Sequence, residues 1–98
     1  MSYFLVVTRQ AENDIEEFFH WYEDQAEGLG HAFLAAARTA AQQAASRPLS
    51  FAEVEEETRR VLLNKFPYSL FFLVHGERVV VTACVHQRRD PEVWRSRG

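Results

Sequence analysis

Tyr68-Ser69-Leu70-Phe71-Phe72-Leu73-Val74-His75 and Val79-Val80-Val81-Thr82-Ala83-Cys84-Val85-His86 are two apolar, β-branched runs separated by Gly76-Glu77-Arg78. Each run has the length and composition of a strand, and Gly76-Glu77 suits a two-residue type II′ hairpin, which places glycine first. Both runs are apolar at both parities, so both faces of the strands they form require cover. Upstream, Thr58-Arg59-Arg60-Val61-Leu62-Leu63 reads as a further strand, set off from Tyr68 by Pro67. The chain therefore closes on three consecutive strands, and what precedes them must supply the cover.

Working back from those strands, Leu49 to Glu57 reads as a loop with a solvated acidic edge at Glu53, Glu55, Glu56 and Glu57. A helix is expected from the Gly28/Gly30 punctuation to about Ser46, where Arg47-Pro48 stops it because the residue before proline avoids helical backbone. Its buried stripe reads Leu29, Phe33, Ala36, Ala37, Ala40, Ala41 and Ala44. An earlier helix carries Ile15, Phe18, Phe19 and Tyr22 at i, i+3, i+4 and i+7, with acids elsewhere and Thr8 as its cap. Tyr3-Phe4-Leu5-Val6-Val7-Thr8 reads as a first strand. The expected fold is α+β, of order β-α-α-β-β-β, an antiparallel sheet packed against an N-terminal helical hairpin. Phe18, Phe19, Phe33, Leu62, Leu70, Phe72, Val81 and Val85 are its expected core. Two helices cover one face of such a sheet, so the other needs a partner chain, a folded-back C-terminal tail or a larger assembly.

Residues 1–98 are expected to form a single domain with an ordinary globular composition, 47% hydrophobic and 26% charged. The apolar runs, Ser69 to Val74 among them, are far short of the roughly 18 residues a membrane span needs. Met1-Ser2-Tyr3-Phe4 has no basic character, so neither a signal peptide nor membrane association is expected. Cys84 stands alone and reads as a small buried hydrophobe in a reducing, cytoplasmic setting. His20, His31, His75 and His86 lack ligand spacing, no nucleotide-loop or zincin motif occurs, and neither a metal nor another cofactor is expected.

Charge is distributed unevenly. Residues 1–57 carry −8 and residues 58–98 carry +5, within a total of −3. Either one surface attracts an anionic partner, or acidic helices and a basic sheet neutralise each other inside the monomer. The basic half ends in His86-Gln87-Arg88-Arg89-Asp90-Pro91-Glu92-Val93-Trp94-Arg95-Ser96-Arg97. Arginine forks grip phosphate or carboxylate, histidine exchanges protons near neutrality, and tryptophan stacks on a base or fills a pocket. The other reading is structural: Trp94 docks the tail on the sheet, Asp90 pairs with a neighbouring arginine, and Pro91 starts a helical turn.

With its element order, Arg59-Arg60-x-x-Leu63-x-Lys65-Phe66-Pro67-Tyr68 and His86-x-x-Arg89-Asp90-Pro91-x-x-Trp94-x-x-Arg97, the chain resembles the ParE/RelE superfamily of type II toxin–antitoxin toxins over essentially its whole length. Phe66-Pro67-Tyr68 and the His86-to-Trp94 piece resemble the ParE branch. The resemblance implies a cytoplasmic toxin, with plasmid stabilisation among its settings, bound by a cognate antitoxin as a hetero-oligomer or itself a homodimer. The antitoxin is expected to lie across the sheet and to neutralise the basic half with acidic residues. ParE-like toxins inhibit DNA gyrase by binding and are not known as enzymes in their own right, which makes Arg88, Arg89, Trp94, Arg95 and Arg97 the candidate target contacts. RelE-like toxins instead cleave mRNA on the ribosome, and in that alternative His86, Arg88 and Arg60 are the candidate catalytic set. Ser69 stands where that branch commonly has arginine, and Trp94, which cannot transfer a proton, stands where it often has tyrosine or histidine. A third alternative is a degenerate member that only binds antitoxin.

Overall fold

Thr8 is the hinge between the first strand and the first helix. Its backbone is extended and its Oγ1 accepts the Ala11 N–H, which caps the helix and fixes where it starts. The computed structural model describes residues 3–89 and 91–97. In chain order these form β1 (Phe4–Val7), α1 (Arg9–Gln25), α2 (Leu29–Ser46), a 3-10 turn at Pro48–Ser50, β2 (Glu53–Glu55), β3 (Thr58–Leu62), β4 (Tyr68–His75), β5 (Arg78–His86) and α3 (Glu92–Arg95).

The strands make one mixed sheet of order β1-β5-β4-β3-β2. The α+β architecture and helical hairpin are as expected, but the sheet is not wholly antiparallel, because β1 runs parallel to β5 with Leu5 opposite Val79 and Val7 opposite Val81. No local turn joins β1 to its partner, so its direction is set by tertiary packing. The segment expected as a loop contains β2, paired with β3 across a turn in which Glu56 and Glu57 both have positive φ, 39° and 67°. At the β4–β5 hairpin Gly76 has φ 62° while Glu77 keeps a negative φ, as a type II′ turn requires.

An irregularity in β5 explains how the doubly apolar runs are used. Phe72 pairs with Val81 and Phe71 with Ala83, leaving Thr82 as an extra residue whose hydroxyl donates to the Phe71 carbonyl oxygen at 3.4 Å. A bulge inverts the alternation beyond it. Val79 and Val81 therefore face the helices with Leu70 and Phe72, while Ala83 and Val85 join Phe71 on the outer face. That face is covered at this end by the chain's own tail, since Val93 and Trp94 pack on Phe71, Ala83 and Val85. The folded-back tail supplies much of the cover the sequence demanded.

Of the expected core, Phe33, Leu70, Phe72, Val81 and Val85 are buried, and Phe18 packs against the core half-buried. Phe19 is half-buried, at the edge of a cleft. Leu62 is a correction: it pairs with Ser69 on the outer face and is 53% exposed, while Leu63 takes the buried position. A Leu-Leu pair offers both parities, and only the register with β4 selects one.

The helices come into close contact at Gly30, which lies within α2, although the sequence suggested only punctuation. A Cβ there would lie 2.5 Å from the Phe19 carbonyl oxygen and 2.9 Å from the Glu23 side chain. Glu23 accepts the Gly28 N–H at 2.8 Å and the Gly30 N–H at 2.9 Å, satisfying donors at the start of α2. The Gly28 hydrogen bond is the main cause holding its carboxyl below the ordinary 4.5. A depressed carboxyl stabilises the fold above its unfolded value, and this contribution is lost as pH falls through the folded one. Glu23→Gln is therefore expected to flatten the decline of melting temperature between about pH 5 and 3 relative to the parent, as followed by circular dichroism.

Candidate functional site

The outer face at the β4–β5 end and the tail laid across it bring together most of the residues singled out in the sequence. Pro91 opens the single turn of α3, which places Trp94 flat on Phe71 with ring centroids 4.6 Å apart and planes 11° apart. Arg95 then reaches back to β2, where its Nε donates to Glu55 at 2.6 Å, and its Nη1 lies 3.4 Å from Glu92. Its guanidinium also sits 5.7 Å from the Trp94 ring centroid. The Glu55 hydrogen bond is the largest influence raising the Arg95 pKa.

Arg97 ends the tail in a two-pronged grip on Asp14 of α1, Nη1 on Oδ2 and Nη2 on Oδ1, and its Nη1 also donates to the Thr82 carbonyl oxygen at 3.4 Å. Asp14 Oδ2 further accepts the Cys84 N–H at 3.1 Å. β1 pairs only with Arg78–Val81, so β5 beyond Val81 is a strand edge, which Asp14, Arg97 and the Thr8 hydroxyl satisfy in place of a neighbouring strand. Burial, with the Asp14 charge as a second cause, pushes the Cys84 thiol well above its ordinary range, so it stays protonated.

Arg88 and Arg89 are exposed, and their backbone N–H groups fold onto His86, Arg88 to Nδ1 at 3.1 Å and Arg89 to the carbonyl oxygen at 2.9 Å. Arg60 pairs in register with Phe71 and so projects from the outer face, where it shares a recess of about 160 Å³ with Arg89 and Trp94. Arg60, Arg88 and Arg89 make no ion pair with any described residue. The expected pairing of Asp90 lies outside the described residues. The structure thus divides the five candidate contacts: Trp94, Arg95 and Arg97 hold the tail, while Arg88 and Arg89 are presented outward.

Of the catalytic set of the nuclease alternative, Arg60 and His86 border that same recess and Arg88 adjoins His86 through its backbone N–H. His86, at the end of β5, pairs with Tyr68 and turns its ring onto that side chain at 5.1 Å, so it borders both this recess and the α1 side of the sheet. Sequence reading missed Asp14 and Glu55 as anchors. Their only signal was the excess of acids in the first half of the chain, which the three pairs Asp14–Arg97, Glu55–Arg95 and Glu53–Arg59 use within the monomer.

A second surface lies along the β1 edge of the sheet. β1 is an edge strand with Phe4 68% exposed and Leu5 and Val6 exposed to lesser degrees. The Phe4 and Thr8 N–H groups bond to Glu77 and Val81, so by alternation Leu5 and Val7 turn their backbone groups away from the sheet. Beside them opens a cleft of about 500 Å³, lined by Leu5, Val7, Ile15, Phe19, Leu34 and Ala37 among others.

The family model for the ParE toxin of type II toxin–antitoxin systems, parDE, matches residues 5–91. The chain belongs to the ParE toxin family. Its fold matches a solved structure described as a chromosomal ParDE toxin–antitoxin system from P. aeruginosa, with a TM-score of 0.65 and 19% identity over 87% of this chain and 96% of that one. None of the curated proteins compared matches it. As a ParE-family fold, the molecule carries its tail on the outer sheet face and leaves an apolar strand edge at β1. Among the described residues no helix is long and apolar enough to cross a membrane.

Proposed function

We propose that this ParE-family chain is a toxin that arrests growth by binding DNA gyrase, and that a cognate antitoxin restrains it by seating a segment along β1. The observation that carries the antitoxin reading is the β1 edge, whose exposed apolar side chains and outward-turned backbone adjoin a 500 Å³ apolar cleft. An added strand would bond to Leu5 and Val7 and send alternate side chains into that cleft. On this reading the restraint lies along the β1 edge and not over the tail-covered outer face, whereas the sequence suggested a cover over the whole of that face.

For the target, the reading rests on membership of the family and on Arg60, Arg88 and Arg89, which stand outward on a platform fixed by Trp94, Arg95 and Arg97. Positioned arginines of this kind serve as interface anchors without any proton-transfer group. Membership of the ParE family, rather than the placement of His86 and Arg60, which border one recess, favours a binding inhibitor over a nuclease.

The test is supercoiling by purified gyrase with increasing toxin, alongside mapping of transcript ends after induction. Inhibition with intact transcripts is expected, and Arg88→Ala with Arg89→Ala should weaken it by roughly tenfold or more. Full supercoiling at excess toxin would overturn the gyrase reading. For the antitoxin, co-expression of the neighbouring reading frame should restore growth, and Leu5→Glu should abolish that rescue while growth arrest persists. Undiminished rescue of Leu5→Glu would exclude β1 as the seat.

A further inference from the structure

The flank of α1 facing away from the β1 cleft holds a recess that the antitoxin seat does not use and that meets the arginine platform only at His86. It encloses about 370 Å³ and is lined by Glu17, Phe18, Trp21, Tyr22, Tyr68 and His86. Four of these six are phenyl, phenol or indole rings. Phe18 lies 4.6 Å from Tyr68 between centroids, and Trp21 stands edge-on to Tyr22 at 5.0 Å. Trp21 is 55% exposed and takes no part in the core, so core packing does not account for an indole at this position.

Among the residues lining this recess Glu17 is the one that carries a formal charge, and His86 on the opposite wall is the one imidazole. Glu17 and Asp24 stand four residues before and three after Trp21, on the same exposed stripe of α1. No lysine or arginine occurs between Arg9 and Arg38, a stretch that contains seven Asp and Glu residues. Burial and the neighbouring Tyr22 hydroxyl push the Tyr68 phenol up, so that wall remains a neutral ring. Aromatic faces present negative potential, and a carboxylate at the rim adds to it. Rings and acid together select a cation.

We propose that this recess receives a positively charged side chain, an arginine guanidinium or lysine ammonium, from a partner protein. The inference goes beyond the gyrase and antitoxin readings and does not depend on them: the tail offers cations, and this recess accepts one. It sits on the opposite flank of α1 from Ile15 and Phe19, which face the antitoxin cleft.

The test is a nuclear magnetic resonance titration of the full chain with N-acetyl-arginine methylamide, compared with the citrulline counterpart, which keeps the shape and loses the charge. Saturable shifts of the Trp21 indole N–H and the Tyr68 and His86 amides are expected with arginine in the millimolar range, and none with citrulline. Trp21→Ala, an exposed position, should weaken binding about fivefold as read at Tyr68 and His86. Glu17→Gln should weaken it in the same direction, with the rest of the spectrum unchanged. Equal binding of citrulline, the absence of saturable shifts, or an unaltered Trp21→Ala variant would each overturn the proposal.

Discussion

Phe33→Ala is expected to lower stability by about 3–5 kcal/mol, a large share of the roughly 5–15 kcal/mol that holds a domain this size. Phe33 is fully buried on α2 and is the centre of an aromatic cluster, stacked on Tyr22 at 5.3 Å and meeting Tyr68, Phe66 and Phe18 edge-on at 5.1, 5.4 and 6.1 Å. Its neighbours cannot collapse into the vacated space, because they belong to α1, β4 and the Phe66-Pro67 loop, which are fixed independently. Edge-to-face pairs also contribute beyond the area they bury. Urea unfolding should show a reduced midpoint, and growth arrest on expression should weaken although no outward arginine has changed. A loss below about 1 kcal/mol would mean that the cluster repacks and that the helical hairpin is not anchored through this ring.

How far the fold could be read from the chain follows from which interactions are local. α1 and α2 were legible because their apolar period and stop signals lie within each segment, and β4 and β5 because a glycine-first turn joins them. The direction of β1 was not, since its partner β5 begins more than seventy residues later and nothing nearby specifies it. β2 was hidden because Glu53-Val54-Glu55 is too short and acidic to look like a strand, and it is held by Arg59 and Arg95 from elsewhere in the chain. The parity of Leu62 and Leu63, and the switch of face at Thr82, depend on register, which one unpaired strand does not specify.

The candidate site was legible in kind and not in arrangement. The arginines, Trp94 and His86 were visible as a group, but which hold the tail and which face outward depends on Asp14 and Glu55, far away in sequence. Asp14 appeared to be one acid among several on α1. In the structure it is the one that faces the open edge of β5, where it accepts the Cys84 N–H and meets Arg97. The uneven charge along the chain is therefore in part an intramolecular device: acids in the first half fix the basic tail of the second.

Asp14→Ala should expose that device. Cys84 is almost fully buried, so removing the carboxylate leaves its N–H without an acceptor and costs about 1–3 kcal/mol. Arg97, with a side chain 25% exposed, turns to water and loses only a partly screened pair. For a domain of 98 residues the melting temperature should fall by roughly 5–20 °C. Asp14→Asn separates the two contributions, because its amide oxygen still accepts from Cys84 while the two-pronged grip on Arg97 is gone. Arg97→Ala removes the grip alone. In both, the core should stay near parental stability while hydrogen exchange at residues 91–97 accelerates and the Trp94 fluorescence shifts toward that of exposed indole. If Trp94 keeps its protection in Arg97→Ala, the Phe71 stack and the Glu55 pair hold the tail unaided, and Asp14 serves the edge of β5 only. If it loses protection, a contact on α1 governs the platform on which Arg88 and Arg89 stand, and inhibition of the target should weaken in step with the loosening of the tail, although neither arginine has been altered.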